Sequence, residues 1–340
     1  MIVTEIKEAY LKSLEEFIYN HPHGNFFQSP KAYNFYKSLP AFNPVLLISF
    51  DESGEINGSL LAVIQKEKGF IKSKFSRRCI VIGGPIVENG NEKVMDLLLQ
   101  ELVRIVKRSS VYIEFRNLFD LTKNKQVFEK NGFIFKEHLN FIIEIQGVNE
   151  NFMKLDGNRR WQIKKSLKNN VEINILSSIN EIQDFYLNLK ELYQKKIKKP
   201  LTDFKFFETF FYNSNLGKYF LVKFEGKIIG GTMCPIYKNT IYEWYKFSLD
   251  KEYKNLYPGV VATWAAIEYG AKNGLSYFDF LGAGSPNSDY GVRDFKSKFG
   301  GELVNYGRFI KINNYFLFII GILGLKIYKL VYGLLKKNRV

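Results

Sequence analysis

Hydrophobic and polar residues recur along the first half of the chain with two different periods. Glu92–Arg108 has apolar residues every three to four positions, which is typical of an amphipathic helix. Val45–Phe50 and Ile56–Gln65 are short apolar runs on either side of a turn that contains Gly54, and this pattern predicts a β-hairpin. Further strands are predicted over Arg78–Val87 and Val111–Phe115. The first half therefore combines helices with a sheet.

The second half of the chain repeats this order of elements. Tyr219–Ile236 resembles Val45–Ile64. Each has an apolar strand, an acidic turn with glycine, and a second strand in which a glycine precedes a serine or threonine, Gly231-Thr232 or Gly58-Ser59. A repeat near half the chain length indicates duplicated domains, and two hairpins alike by chance are the alternative. The predicted fold class is α/β (α+β), with mixed sheets flanked by helices and domains at residues 1–150 and 151–312.

The most informative segment is Tyr277–Gly301, in which a short aromatic strand leads into a flexible loop and a cationic helix. The turn-forming residues of Gly282–Ser288 end the strand, and the spacing of apolar and basic residues predicts a short helix over Tyr290–Phe299. Ligands bind at the carboxyl ends of strands in open α/β sheets, so Lys296, beside Phe295, is expected to reach toward a ligand. The alternative is a solvated helix face.

Two basic segments are candidates for contact with phosphates. The first is a helix predicted over Leu155–Lys168, which carries Arg159, Arg160, Lys164, Lys165 and Lys168. The second, Lys195–Pro200, ends the following long helix. Arginine and lysine bind phosphate through charge, and arginine also through paired hydrogen bonds. A solvated surface is the more common explanation for either segment taken alone.

The carboxyl-terminal segment, residues 313–340, predicts an apolar helix of its own. Tyr315–Leu325 is continuously apolar but too short to span a bilayer, which needs about 20 residues, and Lys326 and Lys329 interrupt the longer stretch. An interfacial helix with tyrosines and lysines at the level of the lipid headgroups fits this pattern. Docking of the helix onto its own domain is the alternative.

Composition and charge narrow the classes of partner. The 340 residues, 46% of them hydrophobic and 16% aromatic, suffice for two cores. The formal charge of +15 favours phosphates, nucleic acids or anionic lipid surfaces, although lysine- and asparagine-rich codon usage in the host would produce part of this excess without function. Cys79 and Cys234 lack disulfide-framework or metal-site spacing, and the amino-terminal segment does not resemble a secretion signal. We therefore expect a cytoplasmic protein without a metal.

These features together resemble the Fem-type peptidoglycan-bridge aminoacyltransferases over nearly the whole chain. The resemblance is carried by the strand, loop and Phe-Lys step of Tyr277–Gly301, by the aromatic-Gln-Ser opening of Asn25–Lys37, and by the basic segment Arg159–Lys168. It implies two tandem acyltransferase domains of the GNAT superfamily. It also implies transfer of an amino acid from aminoacyl-tRNA to an amine of a cell-wall precursor, which is a nucleotide- or lipid-linked diphosphate.

The resemblance also implies roles for individual basic residues. Lys296 corresponds to the family lysine that binds the phosphate region of the donor or stabilises the oxyanion, with Phe295 packed beside it. Lys37 lies near the family lysine that contacts the acceptor diphosphate. Lys198 or Lys199 replaces a phosphate-binding arginine.

Further candidate residues follow from the same resemblance. Tyr245, with Tyr242 as its substitute, lies on the strand where the family has an active-site tyrosine. Glu114 and Arg116 stand where the family has an aspartate-proline step, which leaves the acceptor open. Arg159 on the basic helix is an additional expected contact with substrate.

The chemistry of aminolysis suits the residues that this chain offers. An aminoacyl ester is already activated, so the reaction needs positioning, a cation for the developing oxyanion and removal of a proton from the amine. The three histidines have no recognisable pairing with serine or cysteine, and no covalent nucleophile or cofactor is required. Asp279 and Glu114 are candidate bases at strand ends, although an aspartate in an aromatic strand is often structural.

Two other functions remain open at this point. The first is an acyl-CoA-dependent N-acyltransferase, which would cradle a pyrophosphate at a helix start. The corresponding segment, Lys254–Val261, has one glycine, and Pro258 removes a donor, so the aminoacyl-tRNA donor is favoured. The second is a non-catalytic scaffold at a membrane surface. For the main prediction we expect a monomer, peripheral at the inner face of the cell membrane.

Overall fold

The structure is a computed structural model that describes residues 1–4, 7–66, 77–287 and 291–324. The chain divides into two compact units. The first consists of Met1–Glu137 and the segment that begins at Tyr306, and the second is His138–Asn305. Helices and strands are numbered along the chain.

The first unit contains helices α1 to α4 and strands β1 to β7 and β16. The helices are α1 Glu8–Asn20, α2 Pro30–Lys37, α3 Glu92–Val106 and α4 Lys125–Lys130. The strands are β1 Ile2–Val3, β2 Phe42–Phe50, β3 Ile56–Gln65, β4 Arg78–Ile82, β5 Ile86–Val87, β6 Tyr112–Arg116, β7 Ile134–Lys136 and β16 Arg308–Ile312.

One mixed sheet and its covering helices form the first unit. Its strand order in the described residues is β1-β2-β3-β4-β6-β16-β7, with β5 beside β3. Asn91 caps α3 through its side chain, and the apolar face of α3, including Leu98 and Leu102, packs into the buried core. Phe309 of β16 stacks on Phe128, with 3.9 Å between the ring centroids. The amphipathic helix predicted over Glu92–Arg108 is thus present.

The second unit contains helices α5 to α10 and strands β8 to β15. The helices are α5 Val148–Lys154, α6 Gly157–Lys168, α7 Ile179–Leu192, α8 Phe204–Tyr212, α9 Pro258–Lys272 and α10 Gly291–Ser297, and a π-helix, Tyr193–Ile197, follows α7. The strands are β8 Asn140–Glu144, β9 Glu172–Ile175, β10 Gly217–Phe224, β11 Lys227–Tyr237, β12 Thr240–Tyr242, β13 Tyr245–Ser248, β14 Tyr277–Asp279 and β15 Glu302–Val304.

A second mixed sheet organises this unit. Its order in the described residues is β15-β8-β14-β12-β11-β10-β9, with β13 beside β11. Helix α9 is buried along most of its length, and Trp264 and Ile267 contribute to the core. The predicted helix over Tyr290–Phe299 is α10, except that residues 288–290 lie outside the described residues.

The two predicted hairpins occupy equivalent places in the two sheets. β2 pairs with β3 and β10 pairs with β11, both antiparallel and both with one irregularity in register. Gly58 pairs with Val87 of β5, and Gly231 pairs with Phe247 of β13, so each long second strand has two partners on its other side. The predicted α/β (α+β) class with a duplicated architecture is confirmed.

The unit boundaries differ from the predicted domains 1–150 and 151–312. β8 pairs with β14 and β15 and so belongs to the second unit, although the prediction assigned it to the first domain. β16 pairs with β6 and β7 and belongs to the first unit. Strand pairing, which the order of residues along the chain does not reveal, decides both assignments.

The segment predicted as an apolar helix over 313–340 is described only in part. Residues 315–324 are helical, and residues 325–340 lie outside the described residues. Phe318 packs edge-on against Tyr112, while Tyr315, Phe316 and Ile319 are exposed. Among the helices of the described ranges, none combines the length and the apolar character needed to cross a bilayer.

Candidate active site

The sheet of the second unit opens where β12 ends. The parallel pairing of β12 with β14 finishes with Tyr242 opposite Asp279. Glu243 then donates its N–H to the Asp279 carbonyl (2.9 Å), and Trp244 donates to the Met233 carbonyl (3.0 Å). In the described residues β13 pairs with β11 alone. β13 and β14 therefore separate and leave a gap in the sheet, which we call the β13–β14 gap. Side chains from both strands can reach this gap.

Lys296 of α10 lies at the carboxyl end of β14. Its Nζ donates to the carbonyl oxygens of Phe280 (2.9 Å) and Gly282 (2.6 Å), and it lies 5.1 Å from the centroid of the Phe280 ring. Burial lowers the pKa of Lys296 to about 8; the charge of Glu243 opposes this change and that of Lys246 adds to it. An ammonium has three donors, so one donor remains beyond the two carbonyls.

Asp279 and Asn140 together hold the turn that binds Lys296. Asp279 Oδ1 accepts from Asn140 Nδ2 (2.7 Å) and from Leu281 N–H (2.6 Å), and Asn140 Oδ1 accepts from Gly282 N–H (2.7 Å). The φ angles of Leu281 (56°) and Gly282 (128°) are positive, so this turn needs such support. Burial raises the pKa of Asp279, although the hydrogen bonds and the Lys296 charge oppose the rise.

A second lysine forms a buried network that we call the Lys246–Thr263–Glu243 triad. Lys246 Nζ donates to Thr263 Oγ1 (2.6 Å), and this hydroxyl donates to Glu243 Oε1 (2.7 Å). The direct separation of Lys246 Nζ from Glu243 Oε1 is 3.8 Å. Burial lowers the pKa of Lys246, and the charge of Glu243 opposes that change. The triad joins β13, α9 and the turn after β12.

The Phe295 ring contacts two cations other than Lys296. Lys246 Nζ is 3.9 Å from the centroid of its ring, and the Arg159 guanidinium is 4.7 Å away on α6. The resemblance implied Phe295 as the packing neighbour of Lys296, but the ring beneath Lys296 Nζ is that of Phe280. Adjacent residues of a helix point about 100° apart, so Phe295 and Lys296 approach different sides of the site.

The start of α9 already holds an anion of the protein itself. Gly259 donates its N–H to Asp250 Oδ1 (3.0 Å), and the Ser248 hydroxyl donates to Asp250 Oδ2. A Cβ at Gly259 would come within 2.8 Å of Asp250 Oδ2, so the carboxylate lies against the helix end. Backbone N–H groups at helix starts bind anions, and here a carboxylate takes that place.

The predicted tyrosines have different surroundings. Tyr245 is partly exposed, and its ring lies 5.1 Å from Phe207 and 5.7 Å from Trp244. Tyr242 is buried at the end of β12, opposite Asp279. Tyr245 is thus the one that can meet solvent near the gap.

The basic run predicted for phosphate ends in an unusual backbone conformation. Lys198 has a left-handed φ of 54° directly after the π-helix, and its N–H donates to the Tyr193 carbonyl (2.7 Å). Lys199 follows and is exposed. The Tyr193 ring lies 6.3 Å from that of Tyr245, so the run begins near this candidate tyrosine.

The remaining predicted residues lie in the first unit. Glu114 is buried between Arg116 (2.9 Å) and Arg308 (2.7 Å). Burial opposes ionisation, but the two arginines outweigh it and hold the pKa of Glu114 at about 2. A carboxylate this acidic is a poor base, so the expectation of Glu114 as a base is replaced by an ion-pair role. Lys37 is exposed at the end of α2, 5.5 Å from the Tyr33 ring centroid.

Gln28, in the segment that carries the resemblance in this unit, is structural. Its side chain donates to the Leu61 and Ile82 carbonyls and accepts from the Leu61 N–H (2.8 Å). It thereby joins β3 and β4 where the described strands diverge.

Sequence reasoning missed the three members of the Lys246–Thr263–Glu243 triad. Glu243 and Lys246 flank the aromatic pair Trp244-Tyr245, and a charged residue on each side of such a pair was an available signal. Thr263 lies in a small-residue helix and carried no signal of its own, because its role depends on packing against β13.

Metal binding and attack by a cysteine thiol find little support in the described residues. Within the ranges that the structure describes, no group of three or more His, Cys, Asp or Glu side chains could hold a metal ion. Both cysteines are buried, and burial raises the pKa of Cys79 to about 12 and raises that of Cys234 as well. Neither thiol is therefore suited to nucleophilic attack at neutral pH.

The candidate site lies in a part of the chain that matches a known domain. Residues 158–297 match the model of the acetyltransferase (GNAT) domain, and this range contains the β13–β14 gap, Lys246 and Lys296. This part of the second unit is therefore similar to acetyltransferase (GNAT) domains.

Solved structures extend this likeness to the whole chain. The chain shares its fold with FemX, at a TM-score of 0.71 and 16% identity, over 94% of this chain and 99% of FemX. The C-terminal domain of a putative lysylphosphatidylglycerol synthetase from Agrobacterium fabrum gives 0.57 and 11%, over 92% and 94% of the two chains. A tandem GNAT protein from the clavulanic acid biosynthesis pathway gives 0.54 and 10%, over 92% and 98%. No curated protein is significantly similar in sequence.

Proposed function

We propose that this protein is a Fem-like acyltransferase that moves an aminoacyl group from aminoacyl-tRNA to an amine of a cell-envelope precursor. The observation that carries the proposal is Lys296, held by two carbonyls at the sheet opening of a tandem fold shared with FemX. The acceptor would be a nucleotide- or lipid-linked diphosphate of peptidoglycan or another surface glycan.

The site has the parts that aminolysis of an ester needs. The third donor of Lys296 is suited to a developing oxyanion or a donor phosphate, in a gap where desolvation strengthens the interaction. Asp279 acts by positioning, since both its hydrogen bonds hold the turn beneath Lys296. Glu243 is the remaining candidate base, because its carboxylate lies at the gap and already accepts a hydrogen bond from the Thr263 hydroxyl (2.7 Å).

The choice of donor rests on the start of α9. A CoA donor places a pyrophosphate at a helix start, where free N–H groups bind it. Asp250 accepts from Gly259 there, so a pyrophosphate would meet a carboxylate. This repulsion favours an aminoacyl-tRNA donor over acyl-CoA.

An exposed apolar helical segment supports the choice of a lipid-linked acceptor. Tyr315, Phe316 and Ile319 expose apolar surface on the helical segment 315–324. Exposed apolar side chains on one short helix, in a protein of charge +15, suit binding to an anionic lipid surface. The site of action would be the inner face of the cell membrane.

The direct test combines the protein with charged tRNA and either a UDP-linked or a lipid-linked precursor, followed by mass spectrometry of the precursor. We expect the precursor to gain the mass of one amino-acid residue with the wild-type protein and no mass with Lys296→Met. Lys298 is a neighbouring lysine that pairs with Asp294, and the control variant Lys298→Met should retain activity. Absence of any mass gain with every aminoacyl donor would overturn the proposal.

An acyl-CoA-dependent N-acyltransferase is the second candidate, favoured by the GNAT domain match over 158–297. Acetyl-CoA in place of tRNA, with the same precursors, distinguishes the two. Mass gain with acetyl-CoA alone would support this second function.

A further inference from the structure

Helix α6 differs from the other described helices in its charge. It carries five arginine or lysine residues and no acidic residue between Gly157 and Lys168. Only Ile163 and Ser166 are buried, so most of the helix is available at the surface. Such a helix attracts phosphates along its whole length.

The amino-terminal end of α6 is fixed to the candidate active site. Asp156, which caps the helix, donates its N–H to the Lys298 carbonyl (3.0 Å) just after Lys296. Arg159 stacks on the Phe295 ring at 4.7 Å. A ligand that follows the helix therefore starts beside the reacting centre.

The other end of α6 is fixed beside an aromatic pair in which Trp161 is exposed and Tyr257 is partly buried. Ser166 donates to the Leu256 carbonyl (2.7 Å), which precedes α9. Trp161 is 53% exposed, and its ring lies 5.8 Å from that of Tyr257. Lys165 Nζ lies 4.7 Å from the Trp161 ring centroid. Exposed tryptophan beside lysine provides a stacking surface next to a phosphate-binding cation.

An open concavity lies beside Lys165, whose Nζ is over the Trp161 ring. Lys165 and Lys168 line it together with Asn169, Asn170 and Asn255, with Glu172 and Glu225, and with the apolar Phe224 and Leu256. Amides can bond both donors and acceptors of bases, and carboxylates accept from exocyclic amino groups such as that of cytosine. A uniformly anionic lipid surface would not use these carboxylates or a concave shape.

We infer that α6, Trp161 and this concavity bind the unpaired 3′ end of the RNA donor, with a base stacked on Trp161. This inference rests on the proposed aminoacyl-tRNA donor. The distance from Arg159 to Lys168 along the helix is about 14 Å at 1.5 Å per residue. At the ~3.4 Å per nucleotide of a stacked strand, about four nucleotides fit alongside it.

The test titrates the full chain with a short cytosine-rich single-stranded oligoribonucleotide and uses tryptophan fluorescence to measure binding. Trp264 is buried and Trp244 is partly buried, so Trp161 is the most exposed of the three tryptophans. We expect quenching on binding. Trp161→Ala should weaken binding about tenfold, as expected for loss of one stacked base.

Charge variants give an independent measurement. A plot of log affinity against log salt concentration has a negative slope. The double variant Lys164→Ala with Lys168→Ala should make this slope less steep by about 1.4, since each lysine–phosphate interaction contributes about 0.7 to its magnitude. The matched control, Lys205→Ala with Lys272→Ala, removes the same charge from exposed lysines of α8 and α9 and should leave the slope nearly unchanged.

The outcomes separate this inference from the proposed function. RNA binding that Trp161→Ala and the α6 lysine pair leave unchanged would overturn the inference and leave the transferase proposal standing. Binding to anionic phospholipid vesicles but to no RNA would replace the RNA surface by a lipid one. RNA binding that disappears in these variants, in a protein without transfer activity, would support the surface and overturn the proposed reaction.

Discussion

Burial lowers the pKa of Lys296, and the charges of Glu243, Lys246 and Asp279 modify that change. We predict that competitive labelling of amines across pH, read out by mass spectrometry of the Lys296 peptide, gives a midpoint near pH 8 instead of the usual value near 10.5 for lysine. An oxyanion contact through the ammonium would therefore weaken as the pH rises past about 8.

Two variants give this prediction a sign. Glu243→Gln removes a carboxylate that favours the ammonium, so the midpoint should fall. Lys246→Met removes a nearby cation, so the midpoint should rise. Shifts in the same direction for both variants, or a wild-type profile that matches exposed lysines, would contradict the electrostatic account.

The hydroxyl of Thr263 is a second test at the scale of one residue. Thr263→Val keeps the volume of the side chain but takes a partner from Lys246 Nζ and from Glu243 Oε1. Because buried polar groups without partners are costly, we expect a loss of about 1–3 kcal/mol in the free energy of unfolding. Thr263→Ser retains the hydroxyl and is the matched control, and urea denaturation measures both.

At the scale of elements, the ion pairs of Glu114 join two strands that are far apart in sequence. β6 pairs with β16, and Arg308 of β16 reaches Glu114 of β6. The folded-state pKa of Glu114 is about 2, below its usual value of 4.5. Its stabilising contribution is therefore present above pH 4.5 and lost as the pH falls from 4.5 toward 2.

We predict that Glu114→Gln lowers the local stability of these strands by about 3 kcal/mol near neutral pH. The value is at the low end for a buried pair, because the Arg116 side chain is 37% exposed. Hydrogen exchange of the β6 and β16 amides measures it. The difference from wild type should shrink toward pH 2, and a difference independent of pH would refute the assignment.

Local patterns predicted the elements better than their partners. Hydrophobic periodicity located α3 and both hairpins, because each is specified by neighbouring residues. The pairing of β8 with β14 and of β16 with β6 depends on contacts between distant parts of the chain. Predicted domain boundaries therefore assigned both strands to the other half.

The same distinction explains which site residues could be recognised. Lys296 stands in a recognisable strand-loop-helix segment, so its position was predictable. The Lys246–Thr263–Glu243 triad is assembled from three elements, and no short stretch of sequence contains it. The ring beneath Lys296 Nζ is that of Phe280 and not that of Phe295, because residues adjacent in sequence point to different sides of a helix.

At the scale of the whole molecule, the last strand of the first unit, β16, follows the entire second unit in the sequence. β16 lies between β6 and β7, and Phe309 is fully buried against Phe128. A chain that ends after Asn305 would lack this strand and leave both neighbours with unpaired edges. Residues His138–Asn305 would still contain all the strands of their own sheet.

Two truncations test this dependence and the role of the apolar segment together. A chain ending at Asn305 should lose protection of Met1–Glu137 in limited proteolysis, while His138–Asn305 remains resistant. A chain ending at Asn314 keeps β16, so both units should resist, but co-sedimentation with anionic phospholipid vesicles should fall because the exposed Tyr315, Phe316 and Ile319 are gone. Undiminished sedimentation of the longer truncation would mean that another surface binds the lipid, and a resistant first unit in the shorter one would mean that β16 is dispensable.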